Sequence, residues 1–336
     1  MKTSLGDLTA SARKSGLFKA KPNMIFSSDK VVTARGERKN YVRRSFSKNK
    51  IVVVILGQTA TGKSNLAVRI AKKFNGEIIS ADSRQVYKGL DIGTGKITKK
   101  EMRGVPHHLL DVVSPKKQFT VAEFQKLAIS AMADITKRNK IPIICGGTGF
   151  YIDAITKGTI FPEVPPNFKL RKALYSKSAI VLFEYLKKID GERAKNIDSK
   201  NKVRLVRAIE IAKALDKVPE ITEETPPYKF IKIGLYLPPD KLQKQIKKRV
   251  KRMFKDSLRE EIKKLKKSGL SDKRLKELGF EYYKPTEEKV IKESVKYAKR
   301  QMTWFRKNKE IHWFAVTDEN LPEKIAKKVK KWYSKS

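Results

Sequence analysis

Cysteine occurs once in the 336 residues, at Cys145. No intramolecular disulfide and no cysteine-based metal cluster can form, and a reducing, cytoplasmic setting is the expectation. Histidine occurs only as His107, His108 and His312, which leaves no histidine metal triad and no Ser-His-Asp relay to argue for. Catalysis, if any, is expected from a carboxylate, a phosphate clamp and a metal. No apolar run approaches the roughly 18 to 20 residues a membrane helix needs, and no basic start leads into an apolar secretory segment. Acidic side chains are also scarce: 35 Asp and Glu stand against 77 Lys and Arg, a formal charge of +42. Such a field gathers polyanions, and nucleic acid is the first partner to consider. A generally lysine-rich surface accounts for part of the same excess, so charge alone supports RNA without proving it.

Apolar residues make up 40% of the chain, enough to bury a substantial core in one large domain or a domain with an insertion. Residues 1–49 are polar and strongly basic, with Asp7, Asp29 and Glu37 their only acids. Without periodicity, they read as a basic, flexible extension. An organellar transit peptide shares the Arg, Lys and Ser content, but the three acids count against it. The pattern changes at Ile51-Val-Val-Val-Ile-Leu56, a continuous β-branched run suited to a buried parallel strand. An amphipathic helix follows, with Leu66, Ala67, Ile70, Ala71 and Phe74 on one face. Further strands are predicted at Glu77 to Ser80 and Ile141 to Cys145, with a helix over Val121 to Lys137 between them. Alternating strands and helices imply an α/β fold with a parallel sheet. Residues 50–160 would form the first part of this core. Residues 161–227, bounded by Pro162, Pro165, Pro166, Pro219, Pro226 and Pro227, read as a helical insertion. Residues 228–336 would complete the core, with a strand from Phe230 to Leu237 and long helices over Leu242 to Lys267 and Glu287 to Lys307. A tail helix presents Ile325, Val329 and Trp332 for packing on the sheet. A monomer is expected.

Gly57-Gln-Thr-Ala-Thr-Gly-Lys-Ser64 fits G-x-x-x-x-G-K-[ST] and sits after a buried strand, opening a helix. Gly57, Gln58, Thr59, Ala60, Thr61 and Gly62 can wrap phosphate oxygens with backbone N–H groups. The helix N-terminus and Lys63 add positive charge, and Ser64 can ligate Mg²⁺. The loop implies a di- or triphosphate and leaves open which molecule carries it. Asp82 emerges from the second strand at the carboxyl edge of the sheet, beside the loop. On position alone it serves equally as a cap or as an active-site acid. Gly146-Gly-Thr148-Gly149 leaves the third strand at the same edge, so three strand ends should converge on one crevice. His107 and His108, with Asp111, are either a structural turn or a weak second metal-binding element. Arg204 and Arg207 lie one helical turn apart and could pair with acids or track a phosphate backbone. Lys299 to Arg306 mixes charge, an amide and aromatics at helical spacing, as a helix that both packs and grips RNA would.

Together these segments resemble the tRNA dimethylallyltransferase, or tRNA isopentenyltransferase, family from about Ile51 to Trp313. The matching stretches are Gly57 to Ser64, Ala81 to Tyr87 with Asp91 to Thr94, Val105 to Asp111, Gly146 to Tyr151 and Lys299 to Arg306. The resemblance implies a P-loop NTPase-like sheet whose loop clamps the diphosphate of dimethylallyl diphosphate, with Mg²⁺ as cofactor. It implies that Asp82 is the general base toward N6 of adenosine 37, beside the anticodon of tRNA, and that Thr59, Lys63 and Arg300 complete the catalytic set. Asp82, Ser83, Arg84, Gln85, Thr148, Arg171, Arg204, Arg207 and Gln301 match positions that meet tRNA. The target base would be extruded from the anticodon stem-loop into the crevice. The single cysteine agrees with bacterial-type members, which lack the zinc-finger extension of eukaryotic relatives. Lys202-Val203 and Gly279-Phe280-Glu281 depart from the family's usual basic residues, and Ser257 stands near a position where glycine is frequent. A P-loop kinase, an adenylate isopentenyltransferase acting on free AMP, ADP or ATP, and a non-enzymatic RNA-binding protein are the rival readings. The first does not explain Lys299 to Arg306, the second does not need the helical insertion, and the third leaves the loop and Asp82 without a purpose.

Overall fold

The computed structural model describes residues 50–334; the basic extension over residues 1–49 lies outside them. The chain runs β1 (Lys50–Gly57), α1 (Lys63–Lys73), β2 (Gly76–Ala81), α2 (Lys99–Met102), β3 (His107–His108), α3 (Val121–Lys137), β4 (Ile141–Gly146) and α4 (Gly149–Thr156). Four helices follow: α5 (Phe168–Tyr175), α6 (Ala179–Ile189), α7 (Gly191–Lys195) and α8 (Lys202–Leu215). The chain then continues through β5 (Tyr228–Tyr236), α9 (Pro239–Lys255), α10 (Leu258–Lys267), α11 (Asp272–Leu278), α12 (Glu287–Phe305), β6 (His312–Ala315) and α13 (Leu321–Tyr333).

All six strands are parallel, in the order β3-β2-β4-β1-β5-β6. The β-branched run of β1 pairs with β4 on one side and β5 on the other, which explains why Ile51 to Leu56 are apolar without alternation. Successive side chains point to opposite faces of the sheet. Ile51, Val53 and Ile55 therefore pack with Leu66 and Ile70 of α1 and with Ile325 and Val329 of α13. Val52, Val54 and Leu56 meet Phe124 and Met132 of α3, Ile152 of α4 and Phe305 of α12. The tail helix thus packs on the sheet as its apolar side predicts. Thr120 caps α3 with Glu123 in a reciprocal capping box, which sets its start.

A further apolar cluster joins Val86, Tyr87 and Leu90, after β2, to Met253, Leu258, Leu275 and Tyr282 of the α9–α11 region. It brings these helices over the strand ends. Helices α5 to α8 carry a core of their own around Leu174, Leu186, Leu205 and Ile209.

The structure corrects three expectations. Leu242 to Lys267 is two helices, α9 and α10, because Ser257 adopts a left-handed backbone with φ 70° and breaks the hydrogen-bond ladder. His107 and His108 form the edge strand β3, with the turn confined to residues 109–111, and His108 Nε2 lies 2.8 Å from the buried carboxylate of Glu77. The sheet also has a sixth strand, His312–Ala315, where the sequence pattern predicts none after Leu237. At four half-buried or exposed residues on an edge, it is too short for period-2 alternation to register.

Candidate active site

Three strand ends meet at the carboxyl edge of the sheet. Gly57 ends β1, and a Cβ there would lie 2.2 Å from the carbonyl oxygen of Leu235; only glycine allows strand and loop to approach so closely. Gly146 ends β4 in a similar way, against the backbone of Ala81. After Gly57 the loop folds on itself: Thr61 Oγ1 donates to the Gln58 carbonyl at 2.7 Å, and Lys63 Nζ donates to the same oxygen at 2.5 Å. Gly62, with φ 75°, opens α1 without a side-chain cap, and no acidic residue occupies the first turn. The N–H groups and dipole of that turn are therefore available to an anion. Burial lowers the Lys63 ammonium to a pKa of about 8, with Arg249 adding to the fall and Asp82 opposing it. An arriving phosphate would reverse that penalty.

Gln301 of α12 is buried and joins two of the strand ends. Its side-chain oxygen accepts the N–H of Thr59 at 2.7 Å, and its amide donates to the Gly147 carbonyl at 2.8 Å. Asp82 lies on the adjoining turn, where Oδ1 accepts the N–H groups of Arg84 at 2.9 Å and Gln85 at 3.3 Å. Asp82 thus caps a turn, since no helix begins there, and it also lines the crevice. Thr148 Oγ1 accepts the N–H of Ser83 at 3.0 Å, fixing this turn to the end of β4. The crevice itself is a cavity of about 50 Å³ whose lining includes Thr59, Asp82, Arg84, Arg249, Glu281 and Tyr297. On the other side of the loop, Ala60, Thr61 and Gly62 border a cavity of about 390 Å³ with Lys241 and Lys244 of α9.

The structure places Gln58, Thr59, Lys63, Asp82, Ser83, Arg84, Gln85, Thr148 and Gln301 together. Arg300, beside Gln301, is exposed, with its guanidinium 5.8 Å from the ring centre of Tyr297. Arg171 and Arg207 are engaged elsewhere: both bind the buried carboxylate of Glu210, at 2.7 and 2.5 Å, Arg171 tying α5 to α8 and Arg207 pairing within α8 itself. Arg204, on the same helix, is exposed.

Sequence reasoning missed Arg249. Its Nη1 donates to Thr59 Oγ1 at 3.0 Å and its Nη2 to the Thr94 carbonyl at 2.7 Å, a bridge from the phosphate loop to the loop after β2. Burial lowers its pKa from the usual guanidinium range, while Asp82 and Glu281 work against the fall. One signal was available: Leu242, Ile246, Val250 and Met253 form the buried face of α9, and Arg249 falls three residues after Ile246 and four before Met253, on that face. Glu261 was missed as well. Its carboxylate accepts the N–H groups of Asp91, Ile92 and Gly93 and the hydroxyl of Tyr282, which holds the loop that carries Thr94.

Ser64 is exposed on the first turn of α1 beside Lys63. Among the described residues no group of three or more His, Cys, Asp or Glu side chains could hold a metal. One hydroxyl beside a phosphate loop fits a hard divalent cation that takes its other ligands from phosphate oxygens and water.

Residues 85–308 match the sequence model of the IPP transferase family. The chain belongs to that family. A tRNA dimethylallyltransferase of Anoxybacillus flavithermus is 42% identical over 288 residues, covering 81% of this chain and 93% of that protein. The enzyme of the same name from Halothermothrix orenii is 38% identical over 304 residues, covering 84% and 92%. Among solved structures, the full-length tRNA isopentenylpyrophosphate transferase of Bacillus halodurans superposes with a TM-score of 0.64 at 35% identity, covering 86% of this chain and 98% of that one. A eukaryotic dimethylallyltransferase acting on tRNA superposes at 0.68 with 28% identity, covering 80% and 75%. An IPP transferase therefore has the P-loop NTPase-like fold expected from the sequence, with the phosphate loop and Asp82 at one sheet edge. Among the described residues no helix is long and apolar enough to cross a membrane.

Proposed function

We propose that this chain is a tRNA dimethylallyltransferase. It moves the dimethylallyl group of dimethylallyl diphosphate to N6 of adenosine 37, beside the anticodon, giving N6-isopentenyladenosine and diphosphate in the cytoplasm. The observation that carries this reading is the junction made by Gln301, which ties Thr59 of the phosphate loop to Gly147 at the crevice where Asp82 lies. Leaving group and acceptor base can then be held on opposite sides of the carbon that is transferred.

The exocyclic amine of adenine is a poor nucleophile because its lone pair is delocalised into the ring. Asp82, oriented by the N–H groups of Arg84 and Gln85, accepts the N6 proton as the new C–N bond forms. The allylic C–O bond breaks at the same carbon and its electrons leave with diphosphate. The N–H groups opening α1 and the ammonium of Lys63 take up that charge. Ser64 would help to hold Mg²⁺, which would supply further charge neutralisation. Thr59, held by Arg249, marks the boundary between loop and acceptor cavity, and Lys241 and Lys244 draw the diphosphate to the far side of the loop. Arg300 adds positive charge at the outer rim.

The anticodon stem-loop of tRNA meets Ser83, Arg84, Gln85 and Thr148 at the crevice and the helical insertion beyond it, with Gln301 acting from beneath by setting the crevice's spacing. Arg204 offers a free guanidinium there, while Arg171 and Arg207, at 20% and 36% side-chain exposure, hold the insertion's shape and present their outer edges. Incubating the protein with Mg²⁺, labelled dimethylallyl diphosphate and an unmodified tRNA, then digesting to nucleosides, tests the reading. Label should appear in N6-isopentenyladenosine from position 37; label at any other base contradicts the assignment.

A further inference from the structure

The crevice that should receive adenine is too small for it. Its volume is about 50 Å³, whereas a cavity of about 150 Å³ is the size that takes up a single benzene ring, and a purine is larger still. The crevice must widen before the base can enter, and contacts across its lining oppose that.

Two segments far apart in sequence meet across its lining. Arg84 comes from the turn after β2, and Glu281 from the loop between α11 and α12. Their side chains form an ion pair, Nη1 to Oε2 at 3.0 Å. The Arg84 guanidinium also lies 5.7 Å from the ring centre of Phe280. It fits there because residue 279 is glycine: a Cβ at that position would fall 1.6 Å from Arg84 Nη1. Arg84, Phe280 and Glu281 all line the cavity with Asp82.

We propose that the Arg84–Glu281 pair is a latch on the adenosine pocket, released when Arg84 exchanges the carboxylate for a phosphate of the incoming tRNA. This inference rests on the tRNA reading above and adds a residue, Glu281, that governs acceptor entry.

The side chains suit the exchange. A guanidinium binds carboxylate and phosphate with the same planar fork, so one can replace the other without a change of donor. The pair is reachable, with 32% of the Arg84 side chain and 14% of the Glu281 side chain exposed. Asp82 is held by the backbone N–H of Arg84 and not by its side chain. The guanidinium can therefore swing out while the catalytic carboxylate stays in place. Glu281 is largely buried, and burial raises its pKa while Arg84 opposes the rise. Leaving the carboxylate without its partner is costly, which favours the closed crevice; after the exchange the phosphate compensates Arg84, and the Arg249 guanidinium in the same lining remains near Glu281.

The test is a double-mutant cycle read as equilibrium tRNA affinity at fixed salt, which does not depend on turnover. Glu281→Gln removes the competing carboxylate and should tighten tRNA binding by about fivefold, as expected for a partly exposed ion pair. Arg84→Gln should weaken binding, and in that background Glu281→Gln should change it by less than twofold. Glu260→Gln, at an exposed pair with Lys263 on α10, controls for the general loss of one negative charge. If Glu281→Gln weakens binding or leaves it unchanged, or if its gain equals that of Glu260→Gln, or persists without Arg84, the latch is wrong. Should Glu281→Gln fail to fold, Glu281→Asp keeps the charge, shortens the reach and should give a smaller gain of the same sign. Wild-type protein that binds tRNA no better than other RNA would instead overturn the functional reading, so the two failures are distinguishable.

Discussion

Gln301 accepts the N–H of Thr59 and donates to the carbonyl of Gly147, so one side chain sets the spacing between the phosphate loop and the end of β4. Gln301→Leu would leave both backbone groups buried without partners. The expected costs are about 1–3 kcal/mol of stability, read from urea denaturation, and a KM for dimethylallyl diphosphate raised roughly tenfold. A variant with unchanged KM would show that the amide is structural only.

Asp82 has two duties that two substitutions can separate. Asp82→Asn retains an oxygen to accept the N–H groups of Arg84 and Gln85 but cannot accept the proton from N6. It should fold as stably as the parent, bind tRNA, and lose at least about a hundredfold in kcat. Asp82→Ala should lose the same activity and about 1 kcal/mol of stability from the uncapped turn. Asp82→Asn with near-parental kcat would remove Asp82 from the proton transfer.

Lys63 makes diphosphate binding depend on pH. Its unliganded pKa is depressed to about 8, so the ammonium is present below pH 8 and lost above it, and bound diphosphate stabilises the charged form. The Kd for dimethylallyl diphosphate should therefore rise by up to about tenfold per pH unit above 8. Lys63→Met should bind weakly with that step removed. A flat profile between pH 7 and 10 in the parent protein would exclude Lys63 from the clamp.

At Ser257 the backbone takes φ 70°, a conformation that costs a non-glycine residue about 1–2 kcal/mol. Ser257→Gly should raise stability by about 0.5–1 kcal/mol after the added flexibility of the unfolded glycine is subtracted. Thermal unfolding would detect it. A decrease would mean that the serine side chain holds the α9–α10 junction.

How far the site could be read from residues depends on where its information lies. Gly57 to Ser64 and the strand before it are local: a buried β-branched run, glycines and a lysine at fixed spacing place a phosphate loop at a sheet edge with no tertiary knowledge. Asp82 was legible because it ends a recognisable strand at that same edge. Arg249 was not, because its partner Thr59 is 190 residues away and it stands among lysines that have no such contact. The break at Ser257 was marked only by the glycine frequent near that position in the family, because apolar spacing continues on both sides of it, through Val250 and Met253 to Leu258 and Ile262. The pairing of Arg171 with Glu210 likewise depended on α5 packing against α8, which periodicity cannot show, whereas Arg207 stands three residues before Glu210 on the same helix, a spacing that helical periodicity does show.

The most direct test of the whole account offers unmodified tRNA and free AMP separately to the protein, with labelled dimethylallyl diphosphate and Mg²⁺. Label in tRNA and none in AMP is the predicted result; label in AMP, or ATP hydrolysis with no prenyl transfer to either acceptor, would contradict it.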